Sequence, residues 1–254
     1  MSHKNWIILG ALFSVYVVWS STYLAIRFAV ETMPPFLMAS VRFLIAGTIL
    51  ITWQCWRGAP IPSWREWRSA AIIGVFLLVG GNGGVVWAEQ FVPSGIAALM
   101  VGATPLWMAL LDGLRPGGRK PAWLEGLGLI VGFCGIVFLF DPFSSETREL
   151  DQYSIGLVVL LLAALFWAVG SLFSRNAPLP DAPLLGTGME MITGGSGLLL
   201  LSWSSGEWLR LDVTHFAMRS WWGLIYLITF GAIVGFSAYT WLLRNSPTPL
   251  VSTY

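Results

Sequence analysis

Apolar residues in this chain fall in blocks of about 20, the length an α-helix needs to cross roughly 30 Å of hydrocarbon. That constraint leaves few alternatives. Within hydrocarbon every backbone N–H and C=O must be satisfied internally, so each block is a helix. A soluble chain would interrupt such blocks with polar residues at helical or strand period. Candidate spans run roughly over 7–27, 35–56, 69–88, 94–114, 122–140, 154–174, 184–203 and 220–242. Only 11% of the 254 residues are charged and the mean hydropathy is +0.72. An average soluble domain carries about 25% charged residues, so this chain cannot cover a water-facing surface. The expected fold is an all-α integral membrane bundle with eight spans present.

Prolines mark the joints. Pro34 and Pro35, Pro60 and Pro62, Pro93, Pro116 and Pro121, and Pro178 and Pro180 fall between blocks, where proline is tolerated in a helix's first turn. Pro105 alone lies mid-span and predicts a kink. The opening apolar run is too long for a secretory signal and is read as the first span. Cys55 and Cys134 lie in different spans without metal-ligand spacing and are expected to be small buried side chains.

Lys and Arg distribution orients the spans. One set of loops holds Lys4, Arg57, Arg65, Arg68, Arg115, Arg119, Lys120, Arg175 and Arg244; the other holds Arg27, Arg148, Arg210 and Arg219. The excess places the amino terminus in the cytoplasm and the acidic loop from Asp141 to Asp151 outside. Trp53, Trp56, Trp87, Trp123, Trp203, Trp221 and Trp241 sit where interfacial belts form.

The chain also matches itself. At an offset of 148, Trp19 meets Trp167, Leu24 meets Leu172, Arg27 meets Arg175, Pro35 meets Pro183 and Gly47 meets Gly195; at 154, Trp87 meets Trp241 and Pro93 meets Pro247. The unit is then five helices, residues 1–142 for the first and 152–254 for the second. An odd span count inverts the second copy, the arrangement typical of secondary transporters with a midplane site. On that logic the second unit stops near the start of a ninth helix, and a complete pair of units has ten.

Several segments resemble the EamA family of the drug/metabolite transporter superfamily. Val18-Trp19-Ser20-Ser21-Thr22-Tyr23 resembles its first helix, and Pro34-Pro35 with Val41-Arg42-Phe43-Leu44-Ile45-Ala46-Gly47 its second. Gly81-Asn82-Gly83, Ala88-Glu89 and Val92-Pro93-Ser94-Gly95-Ile96-Ala97-Ala98 form the most specific match; Glu190-Met191 and Arg244-Asn245 extend it. The resemblance implies a multi-pass protein of the bacterial inner membrane, ten helices, and export or exchange of amino acids, amphipathic drugs or other small metabolites. The joint Leu114-Arg115-Pro116-Gly117-Gly118-Arg119 departs from the acidic-basic pair common in relatives.

A charge inside hydrocarbon costs about 2.5–3.5 kcal/mol on insertion scales, so each needs a reason. Arg42 and Glu190 are repeat equivalents of opposite sign, lying roughly 10 Å and 9 Å inside opposite surfaces. Arg42 is a candidate for a substrate carboxylate, and Glu190 for an amine or a proton. Glu89, near the outer end of its span, is a second proton-coupling candidate. Asn82 lies among Gly80, Gly81, Gly83 and Gly84, which permit close packing or an opened backbone. Trp19, Trp167 and Trp107 are too deep for a belt and are candidate wall residues, with core packing as the alternative. The GxxxG pairs Gly128/Gly132 and Gly231/Gly235 are read as packing alone.

No nucleophile set and no Walker-type phosphate loop occurs. The reading is therefore not an enzyme, with no cofactor, no metal and no ATP. The net charge of +1 gives no reason to expect nucleic acid. Expected partners are a small-molecule substrate and the bilayer; a homodimer stays open. The competing class is a non-transporting membrane scaffold or partner subunit, which would fill its midplane with packed apolar side chains.

Overall fold

The computed structural model describes residues 3–115, 122–139 and 152–251. Pro116, Arg119, Lys120, Pro121, the Asp141 to Asp151 loop with Arg148, and Tyr254 lie outside the described residues. Among the described residues there is no strand. The helices are α1 (His3–Val30), α2 (Pro35–Trp56), α3 (Trp64–Ala88), α4 (Ser94–Leu114), α5 (Trp123–Leu139), α6 (Gln152–Ser174), α7 (Pro183–Ser204) and α8 (Met218–Asn245), with a terminal turn α9 (Thr248–Val251). Seven of these are long and apolar enough to cross a membrane, and α5 is a shorter apolar helix.

Local chemistry sets the helix starts. Pro35 and Pro183 occupy first turns, where the missing N–H costs nothing. Glu207, from the segment between α7 and α8, caps α2 by accepting from Phe36 N at 3.0 Å and Leu37 N at 2.8 Å. The third helix begins at Trp64 rather than near 69. Ser63 and Glu66 form a capping box there, so the charged Trp64-Arg65-Glu66-Trp67-Arg68 stretch is helical rather than loop. In α4 the helix is interrupted at Gly102–Ala103, and Pro105 sits in the first turn of the second segment. That is where its missing N–H does least harm.

The most extensive contact is between α2 and α7, where small residues let backbones meet. A Cβ on Gly47 would lie 2.8 Å from Gly188 O, and one on Gly188 would lie 3.1 Å from Gly47 O. Ser40 Oγ donates to Gly195 O at 2.9 Å. Ile192 covers Gly47, and Leu44 covers Gly195; both residues of the first pair become the second by the same step of 148. A parallel relation holds further in. The Trp167 ring lies over Gly81 and the Trp19 ring over Gly235. Arg27 donates to the carbonyls of Glu89 and Gln90 at the end of α3, and Arg175 to Ser246 O just past α8 at 3.2 Å.

Two helices are locally widened. α3 is wound as a π-helix over Val75–Asn82, and α8 over Leu227–Phe236. Such segments mark functional sites more often than ordinary helix does. The periphery is apolar, with Phe13, Ile130, Val131 and Leu200 exposed. Trp53, Trp56, Trp123, Trp203 and Trp221 are exposed as belt residues should be, whereas Trp87 and Trp241 are half-buried against the core. Cys55 and Cys134 are exposed, not buried. Helix periodicity turns both outward, where their apolar surroundings would be lipid.

Gly47→Leu should lower stability by about 1–3 kcal/mol, because overpacking here meets backbone rather than a movable side chain. Gly126→Ala, with open space around it, should change stability by less than about 0.5 kcal/mol. Thermal unfolding in detergent compares the two.

Candidate functional site

A cavity of about 340 Å³ opens among α1, α2, α3, α4, α6 and α8. This is at the small end of the roughly 300–1,000 Å³ typical of ligand sites. Trp19, Arg42, Asn82 and Trp167, four of the residues singled out in the sequence, line it together. Glu190 and Trp107 do not, and neither does Glu89.

The α2–α7 seam points Arg42 inward. Its residue is 3% exposed, and Nε and Nη1 are buried without a hydrogen-bond partner. No carboxylate among the described residues forms an ion pair with it. It packs on an aromatic ring instead: the guanidinium lies 4.6 Å from the Phe43 ring centroid. Gly231, in the widened part of α8, makes room for it, since a Cβ there would lie 2.9 Å from Arg42 Nη2. Gly231 was read from the sequence as packing alone; the structure makes it part of the cavity wall. Asn82, at the end of the widened part of α3, contributes a buried Oδ1 without a partner.

Aromatic rings close one end of the cavity. Trp19 and Trp167 meet edge to face at 5.4 Å, and Tyr239 lies 4.8 Å from Trp19 and 5.6 Å from Trp167. Phe236 packs on both Trp167 and Phe43. A relay of hydrogen bonds fixes the group. Trp167 Nε1 donates to Tyr239 Oη at 3.0 Å. Tyr239 and Ser171 hydroxyls pair at 2.6 Å, and Ser171 Oγ donates to Trp167 O at 2.7 Å. Because the serine proton is spent on the carbonyl, the tyrosine proton goes to Ser171. Sequence reasoning missed Tyr239, Phe43 and Phe236. Only the equivalence of the two tryptophans hinted at an aromatic cluster.

The remaining candidates occupy other places. Trp107 packs on Phe133 of α5 at 5.0 Å. Glu190 is 1% exposed on α7, with Oε2 unpartnered and its carbonyl facing Gly74 of α3. Glu89 is fully buried just past α3, with neither carboxyl oxygen partnered.

The EamA-like transporter family model matches this chain twice, over residues 5–141 and 154–254. The chain belongs to the EamA-like transporter family. Among family relatives, the Uncharacterized inner membrane transporter YedA of Escherichia coli is 38% identical over 251 residues, covering 97% of this chain and 78% of the relative. An uncharacterized transporter of Synechocystis is 26% identical, covering 91% of this chain and 73% of the relative. A solved crystal structure shares the fold with a TM-score of 0.65 at 19% identity, covering 98% of this chain and 82% of that one.

Tyr239→Phe keeps the ring but strips the acceptor from Trp167 Nε1 and the donor to Ser171. It should cost about 1–3 kcal/mol, the range for a buried polar group left unpaired. Ser171→Ala, which leaves the Trp167–Tyr239 bond intact, should cost less. Thermal melts of both variants check the order.

Proposed function

We propose that the protein is a secondary transporter of the bacterial inner membrane that exports or exchanges small metabolites, such as amino acids or amphipathic drugs, by alternating access around this cavity. The carrying observation is the cavity itself: a buried, unpartnered cation beside aromatic rings in the middle of the bundle. A scaffold would gain by filling that space with packed apolar side chains. Instead, Gly81 and Gly231 line it, and a guanidinium rather than an apolar side chain takes the place beside Gly231. A desolvated charge is retained there at a cost that only a function offsets.

The two units, 1–142 and 152–254, are an inverted repeat in this reading, and the amino terminus is cytoplasmic. Paired family matches and paired contacts support it: Gly47 with Ile192 and Gly195 with Leu44, Gly81 with Trp167 and Gly235 with Trp19. The substrate sits between the units, held by Trp19, Arg42, Asn82 and Trp167. Glu190 and Glu89, buried carboxyls with unpartnered oxygens outside the cavity, are the proton-coupling candidates. A carboxyl that exchanges protons without touching substrate can bias one conformation over the other.

Exchange of labelled amino acids and organic acids across reconstituted vesicles tests this. Arg42→Gln should reduce exchange at least tenfold. Glu190→Gln should keep exchange while losing acceleration by an imposed pH gradient. Folded protein that exchanges no solute in the panel would favour the scaffold.

A further inference from the structure

We propose that the cavity selects organic anions with an apolar or aromatic body and no fixed positive charge, bound through their carboxylate to Arg42. This rests on the transporter reading and narrows its substrate class.

Arg42 supplies a guanidinium that cannot be deprotonated in a protein and that carries five donors in a fixed fork suited to a carboxylate. Two of its nitrogens are buried without partners. Among the described residues no aspartate or glutamate lines the cavity to balance it. The two intramembrane candidates that could have done so, Glu190 and Glu89, lie outside the lining, and neither is paired with Arg42. An incoming carboxylate therefore meets an uncompensated cation and satisfies donors that are otherwise orphaned.

An ammonium would meet the reverse. It would share a largely apolar cavity with Arg42, with no acid between the like charges. The Phe43 face is already covered by the guanidinium at 4.6 Å. Asn82 offers a neutral amide whose buried, unpartnered Oδ1 can accept a hydrogen bond but supplies no charge to balance an ammonium. The remaining wall is mostly ring and aliphatic surface, from Trp19, Trp167, Phe236 and Val85, with hydroxyls at Ser20, Thr22 and Tyr23, and it rewards a largely apolar body.

Three compounds with one body and different charges test the proposal: 3-phenylpropionate, phenylalanine and 2-phenylethylamine. Each is titrated calorimetrically into the purified full chain at pH 7.5. The proposal expects 3-phenylpropionate to bind at least tenfold more tightly than phenylalanine, and 2-phenylethylamine to bind most weakly. Arg42→Gln should weaken the acid at least tenfold, and Arg42→Lys should restore part of the loss. Should Arg42→Gln not fold, Gly231→Ala, whose new methyl displaces the guanidinium, should weaken the acid selectively. Phenylalanine binding as tightly as the acid, or acid binding that survives Arg42→Gln, overturns the inference and leaves the transporter reading standing. No binding of any of the three overturns it as well. The vesicle exchange experiment then decides separately whether the transporter reading falls with it.

Discussion

The cavity depends on how closely α2 and α7 approach. Hydrocarbon offers helices no hydrophobic drive toward one another, so association rests on van der Waals contact and polar bonds made at short range. Gly47, Gly188 and Gly195 bring the two backbones together, and Ser40 adds a buried hydrogen bond to Gly195 O. This seam fixes the rotation of α2 about its axis. Once that rotation is set, Gly47 faces α7 while Arg42, more than a turn away, faces the interior. A looser seam would let α2 turn and carry the guanidinium toward lipid, where its cost would rise.

The opposite wall depends on a different device. α3 and α8 are each widened at mid-length, and each presents a glycine to a tryptophan, Gly81 to Trp167 of α6 and Gly235 to Trp19 of α1. The widened turns trade ideal helix geometry for space. In α8 that space is taken by Arg42 against Gly231, and by Trp19 against Gly235. Trp167 and Tyr239 then form a fixed floor because their polar atoms are committed to one another and to Ser171, and the Trp19 ring packs on both. In the proposed reading, aromatic walls around one buried guanidinium orient a ligand by its charged end.

Much of the fold was legible because hydrocarbon length, proline position and charge leave so little freedom. The eight segments were readable, and α3 was misplaced at its start because a capping box turned a charged stretch into helix. The site was legible only in part. Arg42, Asn82, Trp19 and Trp167 stood out because each breaks a rule of the bilayer interior: a charge, an amide, or an aromatic below the belt. Tyr239, Phe43 and Phe236 break no such rule, since apolar rings are expected anywhere in a span. Gly231 and Gly235 looked like ordinary packing residues because spacing along one helix does not say what lies across from it. Glu190 matched Arg42 in sequence register, but register does not fix which way a side chain turns, and the two do not share a cavity.

The most direct test is chemical access to the cavity wall. Thr22 lines the cavity, contacts Gly231 and is buried. A Thr22→Cys variant, with Cys55 and Cys134 replaced by serine, can be treated with anionic 2-sulfonatoethyl methanethiosulfonate or its cationic trimethylammonium counterpart. The account predicts labelling by both. After correction for intrinsic reactivity, the anionic reagent should react several-fold faster, because Arg42 draws it in. A thiol inert to both reagents in folded protein, or one labelled faster by the cation, would contradict an open cavity governed by an unbalanced positive charge.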